Sequence, residues 1–217
     1  MSVKTRRICC IAITVLTFLF LAASYPFLPE QIPTHWGIDG PDEYNPKAYV
    51  WFFGGMAVLF NLLFEVVPKI DPKYQNYMKF IKEYNIFCVF MNFFMFACIA
   101  AMVIQCLRPG SFDMSQFACV MAGLTLLVTG NILPKFKPNF SSGIKTPWAL
   151  ADEENWRKTH RLGGKITFFS GLLWLFGAFF ISAKKLVFTA GILSVAAIVI
   201  VPYVMSYVWW RRGRENP

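Results

Sequence analysis

Six apolar runs dominate the pattern of this 217-residue sequence, and each comes close to the length of a membrane-spanning helix. A helix that crosses the hydrocarbon core of a bilayer needs about 20 mostly apolar residues. The pattern therefore predicts an all-α fold, an integral membrane bundle of six transmembrane helices. The predicted spans cover residues 8–25, 48–67, 84–106, 117–133, 166–183 and 186–207.

The composition supports the membrane class. Hydrophobic residues make up 56% of the chain and charged residues only 15%, whereas a soluble domain carries roughly 25% charged residues. The net charge of +9 comes from basic residues that cluster between the apolar runs. That placement favours anionic lipid as their partner and argues against direct nucleic-acid binding.

The lysines and arginines also predict the orientation of the spans. Seventeen of the 21 lie in the N-terminus, the second loop, the fourth loop and the C-terminal tail. The other side holds only Lys47, Arg108, Lys184 and Lys185. Because basic loops stay in the cytoplasm, both termini of this multi-pass plasma-membrane protein are predicted to be cytoplasmic.

We expect one integrated membrane domain with three parts. Residues 1–67 form a two-span unit with a proline-rich outer loop at 26–47, residues 68–133 form spans three and four, and residues 134–217 carry a long inner loop and the last two spans.

The first 24 residues also resemble a signal peptide with a cleavage site at Ala22-Ala23-Ser24. The length of the first apolar run and the position of Pro26 favour an uncleaved anchor.

The outer loop combines turn-forming residues with negative charge. Its five prolines disfavour a long helix and its glycines permit turns, so we expect an ordered cap with a short two-stranded turn. Four carboxylates against one lysine suit a cationic or amphipathic partner. Zinc prefers three or four His or Cys ligands, so we predict a hydrogen-bonded His35 and no metal. The candidate binding residues are Pro33, His35, Trp36, Asp39, Asp42, Glu43 and Lys47.

The inner loop, residues 134–165, is dense in proline, glycine, tryptophan and charge. Thr146 before Pro147 predicts a helix N-cap followed by proline at the first helical position. Asp152 is placed to cap a second helical turn. The pairs Glu153–Arg157 and Glu154–Lys158 have the spacing that stabilises a helix.

These signals predict a short interfacial helix that bends at Gly163-Gly164 into the fifth span. Trp148 and Trp156 would lie at headgroup depth, and the basic residues would contact anionic lipid. A re-entry helix without a binding role is the alternative.

Polar residues inside the spans are few. Asn61 and Glu65 share one face of the second span, and Asn92 lies in the third. An ionisable residue within a span is a functional candidate by default. Glu65, however, lies near the cytoplasmic end, where it could reach the interface or pair with Lys69.

Small residues recur at intervals of seven along the fourth and fifth spans, which places them on one helix face. Ordinary helix packing and a homo-oligomer face both fit these rows. They comprise Gly123 and Gly130 in the fourth span, and Gly163, Gly164, Ser170, Gly171, Gly177 and Ala178 in the fifth.

The six cysteines lie in or beside the apolar runs without a CxxC motif, so we predict buried thiols rather than disulfides or ligands.

The two conspicuous loops resemble the SdpI family of bacterial membrane proteins. The inner-loop signature, Gly-x-x-Thr-Pro-Trp-x-Leu followed by a tryptophan and basic residues, matches Gly143, Thr146, Pro147, Trp148, Leu150, Trp156, Arg157, Arg161 and Lys165. The outer loop is similar to a domain of unknown function found at the start of such proteins. Its pattern matches Leu28, Pro29, Ile32, Pro33, His35, Trp36, Gly40, Asp42, Tyr44 and Lys47.

This resemblance implies a bacterial plasma-membrane immunity protein that protects against a secreted toxic peptide. It also implies a receptor role, in which a cytoplasmic repressor is drawn to the membrane. The chain lacks a Ser/His/Asp set and an HExxH motif, so neither catalysis nor a cofactor is predicted. A transporter or intramembrane enzyme that uses Asn61, Glu65 and Asn92, and a non-catalytic scaffold or stress protein, are the alternatives.

Overall fold

A computed structural model describes residues 1–37 and 39–215 of the chain. The fold is 78% helical, with one two-stranded antiparallel sheet. The elements are α1 (Val3–Ser24), β1 (Gln31–Gly37), β2 (Gly40–Pro46), α2 (Tyr49–Ile70), α3 (Tyr74–Lys79), α4 (Ile81–Leu107), α5 (Met114–Ile132), α6 (Pro147–Ala151), α7 (Glu153–Phe180), α8 (Ala183–Leu186) and α9 (Ile192–Glu215). Short turns of 3-10 helix follow α1 at Tyr25–Phe27 and α5 at Leu133–Lys135, and a π-helical turn at Val187–Gly191 precedes α9.

Six of these helices are long and apolar enough to cross a membrane, which confirms the predicted six-span architecture. The fifth span differs from the prediction at its start. α7 is one continuous helix of 28 residues that begins at Glu153 and runs through Gly163-Gly164 without a break. The predicted bend at this glycine pair is wrong because both glycines are buried within the helix and face other segments.

The helices and strands form two compact units. Residues 1–66 and 84–118 make up the first, and residues 67–83 and 119–217 make up the second. The first unit therefore contains the outer loop, and the second contains the inner loop.

The first unit is held together at one end by an apolar cluster. Leu21, Ile32, Val50 and Val103 are all fully buried in it, and they come from α1, β1, α2 and α4. Ile32 anchors the two-stranded sheet to the ends of three spans. Burial of such a side chain contributes about 1.5–3 kcal/mol, so the sheet is fixed to the helices rather than free to move.

The second unit is held by close contact between the backbones of α5 and α7. A Cβ atom added at Gly171 would lie 2.6 Å from the backbone nitrogen of Leu127, and one at Gly123 would lie 2.8 Å from the nitrogen of Leu175. Only glycine permits this approach. Gly123, Gly130 and Gly171 therefore pack α5 on α7, whereas Gly163 faces Ile144 and Gly177 faces Leu186. These glycines face neighbouring segments of the same chain, so this face is not available to a homo-oligomer.

Candidate functional site

The outer loop folds as a β-hairpin, here called the outer hairpin, of β1 and β2. The register pairs Gln31 with Pro46 and Gly37 with Gly40, with irregularities around His35. The predicted two-stranded turn is confirmed. Prolines in both strands limit edge pairing, because proline cannot donate to a further strand. The hairpin therefore presents side-chain faces rather than open edges to a partner.

The candidate residues of the outer hairpin separate into an anchored group and an exposed group. Trp36 packs against the apolar cluster beside Ile32. His35, Asp39, Asp42 and Glu43 are exposed, and Pro33 is half-buried. The exposed group is the part of this loop that a partner can reach.

The charges of the outer hairpin are partly paired with one another. His35 Nδ1 lies 2.5 Å from Asp42 Oδ1, which confirms the predicted hydrogen-bonded histidine. The hydrogen bond to the Asp42 carboxylate raises the pKa of His35 above its usual value. Lys47 Nζ donates to Glu30 at 2.9 Å, and this bond raises the pKa of Lys47.

In the inner loop, Gly143 is required by a buried histidine. Gly143 has a backbone φ of +103°, and a Cβ atom there would collide with the imidazole of His160. His160 Nε2 accepts a hydrogen bond from the backbone N–H of Ile144 at 3.0 Å, and Nδ1 donates to Trp156 O at 2.9 Å. These roles require the neutral tautomer with the proton on Nδ1. His160 therefore joins the inner loop to α7.

A buried polar cluster holds the start of α6 against α9. The Thr146 side chain accepts from the backbone N–H of Ala149 at 3.0 Å, which confirms the predicted N-cap, and it lies 2.6 Å from Ser206 Oγ. Asn155 donates to Ser206 O at 2.8 Å and accepts from Ser206 Oγ at 2.7 Å. Thr159 completes the set by donating to Asn155 at 3.1 Å. The sequence analysis did not single out Asn155, Thr159 and Ser206, because the bonds from Ser206 to Asn155 and Thr146 span 51 and 60 residues.

The two signature tryptophans have different environments. Trp156 is only 1% exposed, stacks on His160 at 4.0 Å and donates from Nε1 to Phe136 O at 2.9 Å. The Trp156 side chain is therefore enclosed by protein and does not contact lipid headgroups itself. Trp148 remains half-buried beside Tyr203 and Tyr207, at 5.2 and 5.0 Å.

The charged start of α7 is capped as predicted, and the predicted Glu154–Lys158 pair is confirmed. Asp152 accepts from the backbone N–H groups of Glu154 and Asn155, and Glu154 pairs with Lys158 at 2.9 Å. Arg157 lies 3.7 Å from Glu154 rather than beside Glu153, which corrects the predicted i, i+4 pair. Arg161 is exposed.

Asp71 joins the second loop to the inner loop. Its carboxylate accepts hydrogen bonds from Ser141 Oγ at 2.5 Å and from the backbone N–H of Phe140 at 2.9 Å. Burial alone would raise the pKa of Asp71, but these bonds and one from the backbone N–H of Lys73 lower it below its usual value. Two loops that sequence reasoning treated separately therefore form one folded surface.

The intramembrane polar residues belong to the first unit. Arg6 and Arg7 both donate to the Glu65 carboxylate, with Arg7 bidentate at 2.9 and 2.7 Å. The expectation that Glu65 could pair with Lys69 is therefore wrong. In the sequence, the sign of this ion pair was the presence of two arginines at the same end of the first span. Asn61 donates to Thr14 at 2.7 Å, a contact that links α1 to α2.

Asn92 is buried in the same unit. Its amide donates to Cys88 O at 2.9 Å and lies 3.3 Å from the thiol of Cys10. All six cysteines are free thiols, and Cys10, Cys88, Cys106 and Cys119 are buried as predicted. Among the residues that the structure describes, no three His, Cys, Asp or Glu side chains are grouped closely enough to hold a metal ion.

Comparison with known proteins gives a family match for each of the two loops. The family model of the SdpI/YfhL protein family matches residues 135–206, which contain the whole inner-loop signature and its partners in α7 and α9. The match covers 72 of the 217 residues, and this part of the chain is similar to the SdpI/YfhL family. A domain of unknown function, DUF1648, matches residues 12–58, which contain the outer hairpin.

One curated relative is similar to this chain along nearly its whole length. The immunity protein SdpI of Bacillus subtilis (strain 168) is 23% identical over 208 residues, which cover 95% of this chain and 97% of that protein. No solved structure gives a significant match. Because six of its helices are long and apolar enough to cross a membrane, the chain is a multi-pass membrane protein.

Proposed function

We propose that this protein belongs to the SdpI family and is an immunity protein that protects a bacterial cell against a secreted toxic peptide. The observation that carries the proposal is the match to the immunity protein SdpI along 95% of the chain. That match includes both the outer hairpin and the inner-loop signature. Immunity of this kind needs binding but no covalent chemistry.

The outer hairpin supports the proposal as the surface that meets the peptide. Its exposed residues carry the negative charge of the predicted outer side. Glu43 accepts a hydrogen bond only from the neutral Asn45 amide, at 2.8 Å, among the bonds of the described residues. Because no basic side chain among the described residues forms an ion pair with it, this carboxylate is available to a cationic or amphipathic partner.

The inner loop supports a second, finer role. The half-buried Trp148 and the exposed Arg157 and Arg161 are basic and aromatic residues that suit anionic lipid or a cytoplasmic repressor. A receptor role would require that a signal from the outer hairpin reach these residues. We keep that role as part of the proposal, separate from immunity itself.

A transporter or intramembrane enzyme is the competing function. For such a function, Glu65 would be the main ionisable side chain within a span. Both Arg6 and Arg7 of α1 already bind its carboxylate. Glu65→Gln is expected to weaken the α1–α2 contact and lower protein abundance. A loss of activity at normal abundance would instead favour transport or catalysis.

A survival assay tests the proposal. The full chain is expressed in a sensitive bacterium and challenged with secreted cationic or amphipathic killing peptides. Expression is expected to protect the cells, and Glu43→Gln is expected to reduce protection at equal abundance. Asp113→Asn is the matched control, because it removes one negative charge outside the hairpin and asparagine still caps α5.

A parallel variant tests the inner signature. Trp148→Ala removes a half-buried ring, whereas Trp156→Ala would remove a fully buried ring, disrupt the packing around it and be unsuitable as a site test. Protection that survives Trp148→Ala excludes this ring from immunity. No protection against any peptide tested would contradict the immunity proposal and favour the scaffold reading.

A further inference from the structure

A cavity of about 320 Å³ opens in the second unit, between the segment that follows α5 and the first turns of α7. Its apolar floor includes Phe136 and Trp156, which are 9% and 1% exposed. The hydrogen bond from Trp156 Nε1 to Phe136 O, 2.9 Å long, joins the two walls. The floor is therefore formed before any ligand arrives, which lowers the entropic cost of binding.

The rim of this cavity carries charges of both signs. Lys137 lies on one wall, and Glu153, Glu154 and Arg157 lie on the other. Glu154 is already bound to Lys158 at 2.9 Å and lies 3.7 Å from Arg157. Among the described residues, neither Glu153 nor Lys137 takes part in an ion pair. One carboxylate and one ammonium at the mouth thus remain available.

The charges that line the cavity indicate which class of ligand it can bind. A purely anionic group would meet the carboxylates of Glu153 and Glu154, and a purely cationic group would meet Lys137 and Arg157. A molecule that carries a phosphate and a primary ammonium satisfies both sets. Arginine and lysine are the usual partners of phosphate, and a carboxylate is the usual partner of ammonium.

The position of the cavity along the spans places it at the depth of lipid headgroups. The fourth span ends at Lys135, two residues before Lys137. α7 has 28 residues, so it is ~42 Å long, which exceeds the ~30 Å hydrocarbon core. Its charged first turns must lie outside that core, where the headgroups are.

We propose that this cavity binds a phospho-amine zwitterion, with the phosphate between Lys137 and Arg157 and the ammonium at Glu153. A phosphatidylethanolamine headgroup and free phosphoethanolamine share this chemistry. The site does not depend on the proposed immunity role. It adds a zwitterionic ligand to the anionic lipid expected from the basic loops.

Thermal unfolding of the purified full chain in detergent tests the site. Dioleoyl phosphatidylethanolamine, dioleoyl phosphatidylglycerol and free phosphoethanolamine are titrated separately. Phosphatidylethanolamine is expected to raise Tm more than phosphatidylglycerol does. A response to free phosphoethanolamine equal to that of the lipid supports the site and assigns the ligand to the soluble pool, whereas a response to the lipid alone assigns it to the membrane.

Two variants separate a specific site from general lipid effects. Glu153→Gln removes the partner of the ammonium and keeps both cations. The ratio of the apparent Kd values for the two lipids, taken from the Tm titrations, is therefore expected to fall by roughly tenfold, which corresponds to ~1.4 kcal/mol. Lys137→Gln is expected to weaken the binding of both lipids. Arg212→Gln, an exposed basic change outside the cavity, is the control and should leave the preference unchanged.

Three results would overturn the proposal. The first is equal stabilisation of the unmodified chain by the zwitterionic and the anionic lipid. The second is a preference for phosphatidylethanolamine that persists in Glu153→Gln. The third is the absence of any response to lipid or phosphoethanolamine, which would leave the cavity to a protein partner.

Discussion

At the residue scale, Gly143 carries the most specific requirement of the inner-loop signature. Its φ of +103° is a conformation that other residues rarely adopt, and His160 occupies the space of a side chain. We expect Gly143→Ala to destabilise the protein by roughly 2–4 kcal/mol, because backbone strain and a collision add. Denaturant or thermal unfolding in detergent measures the change.

Gly110→Ala is the matched control for this substitution. Gly110 also has a positive φ, +75°, but a Cβ atom there would meet nothing within 4 Å. Its cost should therefore reflect strain alone, about 1 kcal/mol. Equal losses in the two variants would show that His160 does not restrict position 143.

A second residue-scale prediction concerns the ionisation of His35. Its carboxylate partner Asp42 raises its pKa in the folded protein. The contribution of the ion pair to stability is therefore fully present below the unfolded pKa, about 6.5, and is lost as pH rises through the higher folded value. Asp42→Asn should return the pKa of His35 toward its usual value.

Histidine NMR can follow this titration directly, since the chain contains only two histidines. The buried His160 provides an internal reference that is distinct from the exposed His35. An unchanged His35 titration in Asp42→Asn would show that the hydrogen bond between them does not persist in solution.

At the element scale, the α5–α7 contact depends on glycine rather than on side-chain packing. A Cβ atom at Gly171 would press on Leu127 N at 2.6 Å and on Gly123 O at 2.8 Å. Gly171→Ala is therefore expected to cost roughly 1–3 kcal/mol, because the two backbones must separate. Unfolding measured in a graded denaturing detergent checks the value.

Gly55→Ala provides the comparison for Gly171→Ala. Gly55 also lies inside a span, in α2, and a Cβ atom there would have open space around it. Alanine favours a helix over glycine by about 1 kcal/mol, so this variant should be neutral or more stable. A Gly171→Ala variant that behaves like Gly55→Ala would argue against close α5–α7 packing.

Local signals predicted the elements whose causes are local. The apolar run lengths predicted six spans, Thr146-Pro147 predicted the start of α6, and prolines with glycines predicted the outer hairpin. The start of α7 was misplaced because Gly163-Gly164 favours a bend in isolation. Tertiary packing determined the outcome, since Ile144 and Pro134 occupy the space beside these glycines.

Distant pairings of the candidate site were beyond sequence reasoning. His160 with Ile144, and Asn155 with Ser206, are joined by hydrogen bonds across 16 and 51 residues. No periodic pattern marks a partner at such a distance. The sequence thus marked residues of the signature, such as Trp156, as important, but only the folded structure shows which residues they contact.

At the scale of the whole molecule, the two matched regions fall in different compact units. The outer hairpin belongs to the first unit and the inner-loop signature to the second. An immunity protein that only binds a peptide would need the first surface alone. A receptor would also need the second, so variants in the two surfaces can separate protection from signalling.

The orientation of these surfaces is the last prediction, and it rests on the distribution of lysine and arginine. Glu43→Cys should react with a membrane-impermeant maleimide in intact cells, and Arg212→Cys should react only after the cells are opened. Both positions are exposed. The unmodified chain supplies the background, since its six cysteines lie within or beside the spans. Reaction of Arg212→Cys in intact cells at the rate of Glu43→Cys would contradict a cytoplasmic C-terminus, and with it the assignment of the outer hairpin as the surface that a secreted peptide meets.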